Sequence, residues 1–146
     1  MQYDNEHQQE VISEIIRWLN QISARTLDIA STARRAGFSR WHMQRMFKQH
    51  TGITLGRYIR ILRLGKAVID LVNNADSVIN IALQYGYESQ QTFTRAMKCH
   101  TGFNPGAIKR MPAADKNKLA QEMEKLIASG TLFVLRSKLT RRCAHN

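Results

Sequence analysis

The sequence has little of what a metal centre or a disulfide framework needs. Only two cysteines, Cys99 and Cys143, occur among its 146 residues, and neither belongs to a CxxC or other metal-spaced pair. The five histidines are scattered along the chain. We therefore expect reduced thiols, no metal site and no cofactor.

Catalytic motifs are missing as well. The sequence contains no HExxH, GxSxG or phosphate-loop pattern, and the Gly65-Lys66 pair lacks the upstream glycine that a phosphate loop requires. Because no pattern seats a metal, a nucleophile or a phosphate, we expect that the protein is not an enzyme.

Long apolar runs are also absent. The first ten residues are polar and partly acidic, which does not fit a signal peptide. No apolar run approaches the roughly 20 residues of a membrane span. We therefore expect no membrane partner and a cytoplasmic location.

Acidic residues are scarce relative to basic ones. The chain has 22 Lys and Arg against 11 Asp and Glu, which gives a formal net charge of +11 and a pI of about 10.3. Such a charge attracts polyanions over long range, and nucleic acid is the first candidate. The hydrophobic fraction of 43% suffices for one compact core or for two small helical subdomains.

Apolar residues follow a helical period along most of the chain. Ser39 and Ser89 are placed to cap helices at their first turns, and Gly37 is placed to end one. A helix of 19 residues, such as the one expected from Leu55 to Asn73, spans roughly 28 Å, enough to separate two subdomains by about one DNA turn. The pattern predicts an all-α fold with helices over residues 10–22, 28–36, 40–50, 55–73, 77–85, 90–100, 105–111 and 118–129.

The sequence contains an internal repeat. Ala33-x-x-x-Gly37 recurs as Ala82-x-x-x-Gly86, an offset of 49, whereas Arg45 and the residues after it recur around Arg95 at an offset of 50, so one residue has been inserted in the second turn. A small residue followed by a turn glycine fits a helix-turn-helix. The repeat predicts two helix-turn-helix subdomains, residues 1–54 and 75–111, joined by a long central helix over 55–74, with a basic, partly helical extension over 112–146.

The second helix of each subdomain carries the side chains suited to reading DNA. In a helix-turn-helix that helix enters the major groove with its N-terminal residues nearest the bases. Arginine forks suit guanine, glutamine amides suit adenine, and Thr or Trp can touch a thymine methyl. The predicted base-reading residues are Arg40, Trp41, Gln44 and Arg45 in the first subdomain and Gln90, Gln91, Thr94 and Arg95 in the second.

Other residues are suited to the DNA backbone. Arg57, Arg60 and Arg63 recur every three residues along the long helix and can contact phosphate without reading sequence. Lys48 and Lys98 fit a solvent-facing role equally well, and for Trp41 core packing is the alternative to a contact with DNA or a partner. The predicted phosphate-contacting residues are Ser39, Lys48, Arg57, Arg60, Ser89 and Lys98.

Residues 11–111 contain one spaced motif and two stretches with a recognisable pattern. The motif is Ile81-Ala82-x-x-x-Gly86-Tyr87-x-Ser89-x-x-x-Phe93-x-Arg95-x-x-Lys98-x-x-x-Gly102-x-x-Pro105, and the stretches are GFSRWHMQRMFKQHTG and YESQQTFTR. The motif resembles the signature of the AraC/XylS family of bacterial transcription regulators. The two stretches are similar to small stand-alone members of that family, its antibiotic-resistance and superoxide-response activators.

The resemblance implies a particular mode of action. A monomer would place its two recognition helices in successive major-groove segments of an asymmetric site, with Arg60 on phosphate. It would activate stress or multidrug-resistance promoters by engaging RNA polymerase, as a nucleoid-associated protein. Because no sensor segment is visible, we expect no small-molecule effector.

Two points stay open at the level of sequence. A non-specific architectural DNA-binding protein would also be basic, although it would leave the Gln- and Arg-bearing faces without a purpose. The extension over 112–146 fits a partly ordered segment packed on the second subdomain, but additional phosphate contacts or a protein-binding helix fit it as well.

Overall fold

The computed structural model describes residues 2–21 and 28–129. Within these ranges the chain forms α-helices and no strand, which confirms the all-α class. Residues 130–146 of the predicted basic extension lie outside the described residues. The helices are α1 (Gln2–Gln21), α2 (Ile29–Ala36), α3 (Arg40–Thr51), α4 (Leu55–Asn73), α5 (Val78–Gln84), α6 (Gln90–Thr101), α7 (Pro105–Arg110) and α8 (Ala113–Ser129).

The chain divides into two compact units between Arg60 and Ile61, within α4. In the first unit, α1, α2 and α3 pack against one another. The Phe47 ring lies 5.4 Å from the Tyr58 ring, and burial raises the pKa of Tyr58 to about 12. The core of this unit is lined by Ile12, Ile15, Leu19, Ala33, Met43, Met46, Phe47, Leu55 and Tyr58.

In the second unit, α5 packs against α6 and α7. Asn104 caps α7 by accepting hydrogen bonds from the Gly106 and Ala107 amides, and Pro105 is the first helical residue, a position that suits proline because its missing N–H would have no partner within the helix. The core of this unit is lined by Leu64, Val68, Leu71, Ile81, Ala82, Phe93, Met97 and Ile108.

The last described helix, α8, begins earlier than predicted. The sequence places its start at Lys118, whereas the structure begins it at Ala113 and ends it at Ser129. Its buried side chains are Leu119, Ala120, Met123 and Ile127, spaced as one apolar face. The helical part of the extension is therefore confirmed.

One expectation about the cysteines is wrong. Cys99, in α6, is disulfide-bonded, so it is not the reduced thiol that its isolation in the sequence predicts. Spacing along the chain is a poor guide here because a disulfide needs proximity in space alone. Cys143 lies outside the described residues.

Two further observations concern the part of the chain that the structure describes. None of its helices is both long enough and apolar enough to cross a bilayer. Nor do its His, Cys, Asp and Glu side chains form a group of three or more that could hold a metal ion.

Candidate nucleic-acid interface

The first turn joins α2 to α3. The Asp28 carboxylate caps α2 by accepting hydrogen bonds from the Ser31 amide and hydroxyl, at 2.6 and 2.7 Å, and these bonds lower the pKa of Asp28. Gly37 ends the helix with a φ of 78°, and the Phe38 amide donates to the Ala33 carbonyl at 3.0 Å. This is the αL helix end that glycine favours, and it turns the chain directly into α3.

Helix α3 separates an apolar side from a polar one. The Ser39 hydroxyl caps it by accepting from the His42 amide at 3.1 Å. Met43, Met46 and Phe47 are buried. The remaining side chains that the sequence predicts to read bases or contact phosphate are all exposed: Arg40, Trp41, Gln44, Arg45 and Lys48.

Trp41 is the most exposed large apolar side chain of this surface. It retains 66% of its accessible area, so core packing is excluded as its role. The Arg45 guanidinium lies 5.2 Å from the centre of its ring, within cation–π range. The ring therefore gives the arginine a preferred position before any ligand is bound.

The second turn repeats this plan with one added residue. Gly86 has a φ of 85°, and the Tyr87 amide donates to the Ala82 carbonyl at 3.0 Å. Ser89 follows the turn glycine by three residues, whereas Ser39 follows Gly37 by two. The insertion inferred from the repeat is therefore located in the turn itself.

Helix α6 has the same two-sided character as α3. The Ser89 hydroxyl accepts from the Thr92 amide at 3.1 Å, and Phe93 and Met97 are buried. Thr94 is half-buried, while the other predicted reading and phosphate residues of this helix are exposed: Gln90, Gln91, Arg95 and Lys98.

The two recognition helices differ in what lies beside their central arginine. The position that matches Trp41 at the repeat offset is Gln91. Among the described residues no aromatic ring stacks on Arg95. Arg45 is therefore supported by a ring, and Arg95 is not.

The arginines of α4 do not share one environment. Arg57 and Arg60 are exposed and free to meet a polyanion. Arg63 is half-buried, and its Nη2 donates to the Tyr85 carbonyl at 2.5 Å. Arg63 therefore has a partner within the protein, which the exposed Arg57 and Arg60 are not shown to have.

Sequence reasoning missed the part that Arg63, Asp70 and Tyr85 play. The Tyr85 hydroxyl donates to an Asp70 carboxylate oxygen at 2.5 Å, so both polar ends of Tyr85 are held by α4 side chains. Only the spacing of Arg63 and Asp70, seven residues apart and hence on one helix face, hints at a shared partner. Nothing in the sequence names that partner.

These surfaces are suited to recognising the edges of bases. They present guanidinium groups that donate in pairs, amides that both donate and accept, and an exposed ring. A protein-family model described as a helix-turn-helix domain matches residues 32–111, more than half of the chain. The chain belongs to the AraC/XylS family of transcription regulators.

Relatives support this assignment over most of the chain. The right origin-binding protein of Escherichia coli K12 is 42% identical over 102 residues, which are 70% of this chain but 35% of that protein. This chain therefore spans about a third of the length of that relative. The probable transcription factor PqrA of Proteus vulgaris is 39% identical over 69% of this chain and 84% of its own length.

A solved structure agrees with the fold. The C-terminal domain of AraT, a response regulator from Geobacillus stearothermophilus, matches 68% of this chain and 84% of its own with a TM-score of 0.56 and 25% identity.

Proposed function

We propose that this AraC/XylS-family regulator is a sequence-specific activator of stress or multidrug-resistance promoters, which binds an asymmetric DNA site as a monomer. Two helix-turn-helix subdomains, 1–54 and 75–111, would each place one recognition helix in a major-groove segment. The helix over 55–74 would join them, and 112–146 would form an extension. One observation carries the proposal: two capped helices follow similar turns, and each exposes an arginine beside glutamine amides.

The two recognition helices divide the reading of bases. In α3 the Arg45 fork, placed by the Trp41 ring, pairs with a guanine, while Trp41 itself meets a thymine methyl. In α6, Arg95 takes the corresponding guanine. The full base-reading set comprises Arg40, Trp41, Gln44, Arg45, Gln90, Gln91, Thr94 and Arg95.

Phosphate contacts fix the register of the protein on the duplex. Arg57 and Arg60 supply exposed positive charge on α4. The Ser39 hydroxyl accepts a backbone hydrogen bond through its oxygen but retains an O–H that can donate to a phosphate oxygen. The Ser89 hydroxyl also accepts from a backbone amide, and its O–H can donate to phosphate when the Thr92 hydroxyl, 2.9 Å away, is the donor of the bond that the two share. Lys48 and Lys98, in the last turns of α3 and α6, complete the set.

The remaining partners follow from this role. An activator acts by engaging RNA polymerase beside its site, which places the protein on the nucleoid in the cytoplasm. We assign no membrane partner, cofactor or small-molecule effector, so the amount of protein would set its activity. Saturable binding of an inducer by the purified chain would overturn that last assignment.

Selection of duplexes from a random DNA pool tests the proposal. The purified chain should enrich an asymmetric site with two short blocks about one helical turn apart, and should bind it as one protein per duplex. At a stated salt concentration, scrambled competitor should bind more weakly by about 1,000-fold or more. If no sequence is enriched, the proposal is contradicted and the architectural alternative is supported. The net charge of +11 would then be enough to explain DNA binding.

A further inference from the structure

The second turn differs from the first in length. It contains one more residue between its glycine and the cap of the following helix. Each residue without a fixed conformation adds backbone entropy that must be lost when the helix is held in place. A longer connection therefore leaves α6 less fixed on α5 than α3 is on α2, unless another contact compensates.

Arg63 supplies such a contact. Its guanidinium donates to the carbonyl of Tyr85, the C-cap residue of α5. Carbonyls at a helix C-terminus lack intrahelical donors and carry partial negative charge, so a buried cation there is favourable. A Cβ added at Gly86 would lie 3.4 Å from Arg63 Nη2, so the guanidinium lies directly against the turn.

Asp70 contacts the phenol end of Tyr85. The Tyr85 hydroxyl donates to its carboxylate, and the Tyr85 side chain is buried. Arg63 and Asp70 therefore fix the carbonyl and the phenol of Tyr85 from one face of α4. We call Arg63, Asp70 and Tyr85 the turn clamp.

Among the described residues, the first turn has no such clamp. A Cβ added at Gly37 would have no atom within 4 Å, so no side chain lies against that glycine as Arg63 lies against Gly86. The residue before Gly37 is Ala36, which has no polar side chain for α4 or any other helix to hold. The clamp thus accompanies the longer turn.

Among the described residues, the Arg63 guanidinium has one paired nitrogen and one unpaired nitrogen. Its Nε is buried without a hydrogen-bond partner in the described part of the chain, and an unpaired buried donor costs free energy. The contact that it does make is with the backbone that leads into α6.

We infer that Arg63 is a positioning residue for the second recognition helix. Through the turn clamp it fixes the second turn, and thereby sets where Gln90, Gln91 and Arg95 meet DNA. The effect on DNA reading rests on the proposed function, whereas the effect on the turn does not.

Amide hydrogen exchange in the free full-length chain tests the turn directly. The Gly86 and Tyr87 amides donate to the Leu83 and Ala82 carbonyls, so their exchange reports opening of the turn. Arg63→Met should speed both by about tenfold or more, which corresponds to about 1.4 kcal/mol. Arg63→Lys, which keeps one donor, should speed them less, and Arg17→Met, at an exposed site on α1, should leave them unchanged.

Unchanged exchange at Gly86 and Tyr87 in folded Arg63→Met would overturn the inference. If that variant does not fold, Tyr85→Phe decides, because it removes the hydroxyl that donates to Asp70. Faster exchange of the two amides in Tyr85→Phe would support the clamp, and exchange equal to that of the original chain would reject it.

Titration of the selected duplex tests the consequence for reading. The block that loses its discrimination in Arg95→Ala belongs to the second unit. Arg63→Met should reduce discrimination against a mismatch in that block from about tenfold or more to about threefold or less, with the other block unchanged. Equal loss in both blocks, or loss in neither, would contradict it. If no duplex is selected, the proposed function fails while the exchange experiment still decides on the clamp.

Discussion

Trp41 is an exposed ring that positions the side chain of Arg45. The Arg45 guanidinium lies over it, and ordering a free arginine on binding costs about 0.5–1.5 kcal/mol. Trp41→Ala should therefore lower affinity for the selected duplex by about tenfold, since it also removes a surface for a thymine methyl. The affinity is measured by titration at fixed salt.

Protein stability separates this role from a structural one. Because Trp41 is 66% exposed, the free energy of unfolding should change by no more than about 0.5 kcal/mol in Trp41→Ala. Gln49→Ala, an exposed position on the same helix outside the predicted reading set, is the control and should leave affinity unchanged. A large loss of stability with intact DNA binding would assign the ring to the fold instead.

Arg60 is predicted to contact phosphate without reading sequence. Arg60→Ala should weaken binding to all duplexes alike and reduce the slope of log affinity against log salt by about one. The measurement is a salt titration with the selected and the scrambled duplex, with Arg17→Ala as the control for loss of an exposed positive charge. Loss confined to the selected duplex would show instead that Arg60 reads a base.

Spacing alone does not distinguish the arginines of α4. Arg57, Arg60 and Arg63 recur at the same interval, yet Arg63 donates a hydrogen bond to the Tyr85 carbonyl, 22 residues away along the chain. A contact of that sequence separation depends on how the helices pack, which a local pattern does not contain. The exposed residues of α3 and α6 could be predicted because the buried apolar positions of one helix determine its opposite face.

At the scale of elements, helix starts were predictable where a cap fixes them. Asp28, Ser39, Ser77, Ser89 and Asn104 each accept from an amide two or three residues ahead, so the information is local. Helices α1 and α8 were predicted to begin at Glu10 and Lys118 but begin at Gln2 and Ala113. Their first turns lack the apolar period on which the prediction depends.

The cap at Asp28 makes the start of α2 sensitive to acid. Hydrogen bonds from Ser31 lower the pKa of Asp28, so the carboxylate stabilises the fold above its unfolded pKa of about 3.9, and this contribution is lost as pH falls through the lower folded value. Asp28→Asn keeps a capping oxygen but does not titrate. The free energy of unfolding of the two proteins, measured in urea at a series of pH values, should differ above about pH 5 and converge in acid.

Solvent limits the size of that effect. Asp28 is exposed, so the difference should stay below about 1 kcal/mol. Glu124→Gln, at an exposed position on α8, should show no such convergence. A difference between Asp28→Asn and the original chain that is independent of pH would show that the charge of the cap does not contribute.

At the scale of the whole molecule, the repeat predicts two similar units but not how they differ. The offsets of 49 and 50 place the extra residue in the second turn, as the structure has it. Among the described residues, the ring that supports Arg45 and the clamp that holds the second turn each occur in one of the two units. Both depend on which side chains meet in three dimensions, and so neither follows from self-similarity.

The central claim is that two recognition helices each read one part of a single site. The most direct measurement repeats the selection from a random pool with Arg45→Ala and with Arg95→Ala. Each variant should lose about 1–3 kcal/mol of binding at the original site, lose the preference for one base position in one block, and keep the other block intact. If both variants lose the same block, or if neither changes the selected sequence, the chain does not read DNA with two recognition helices.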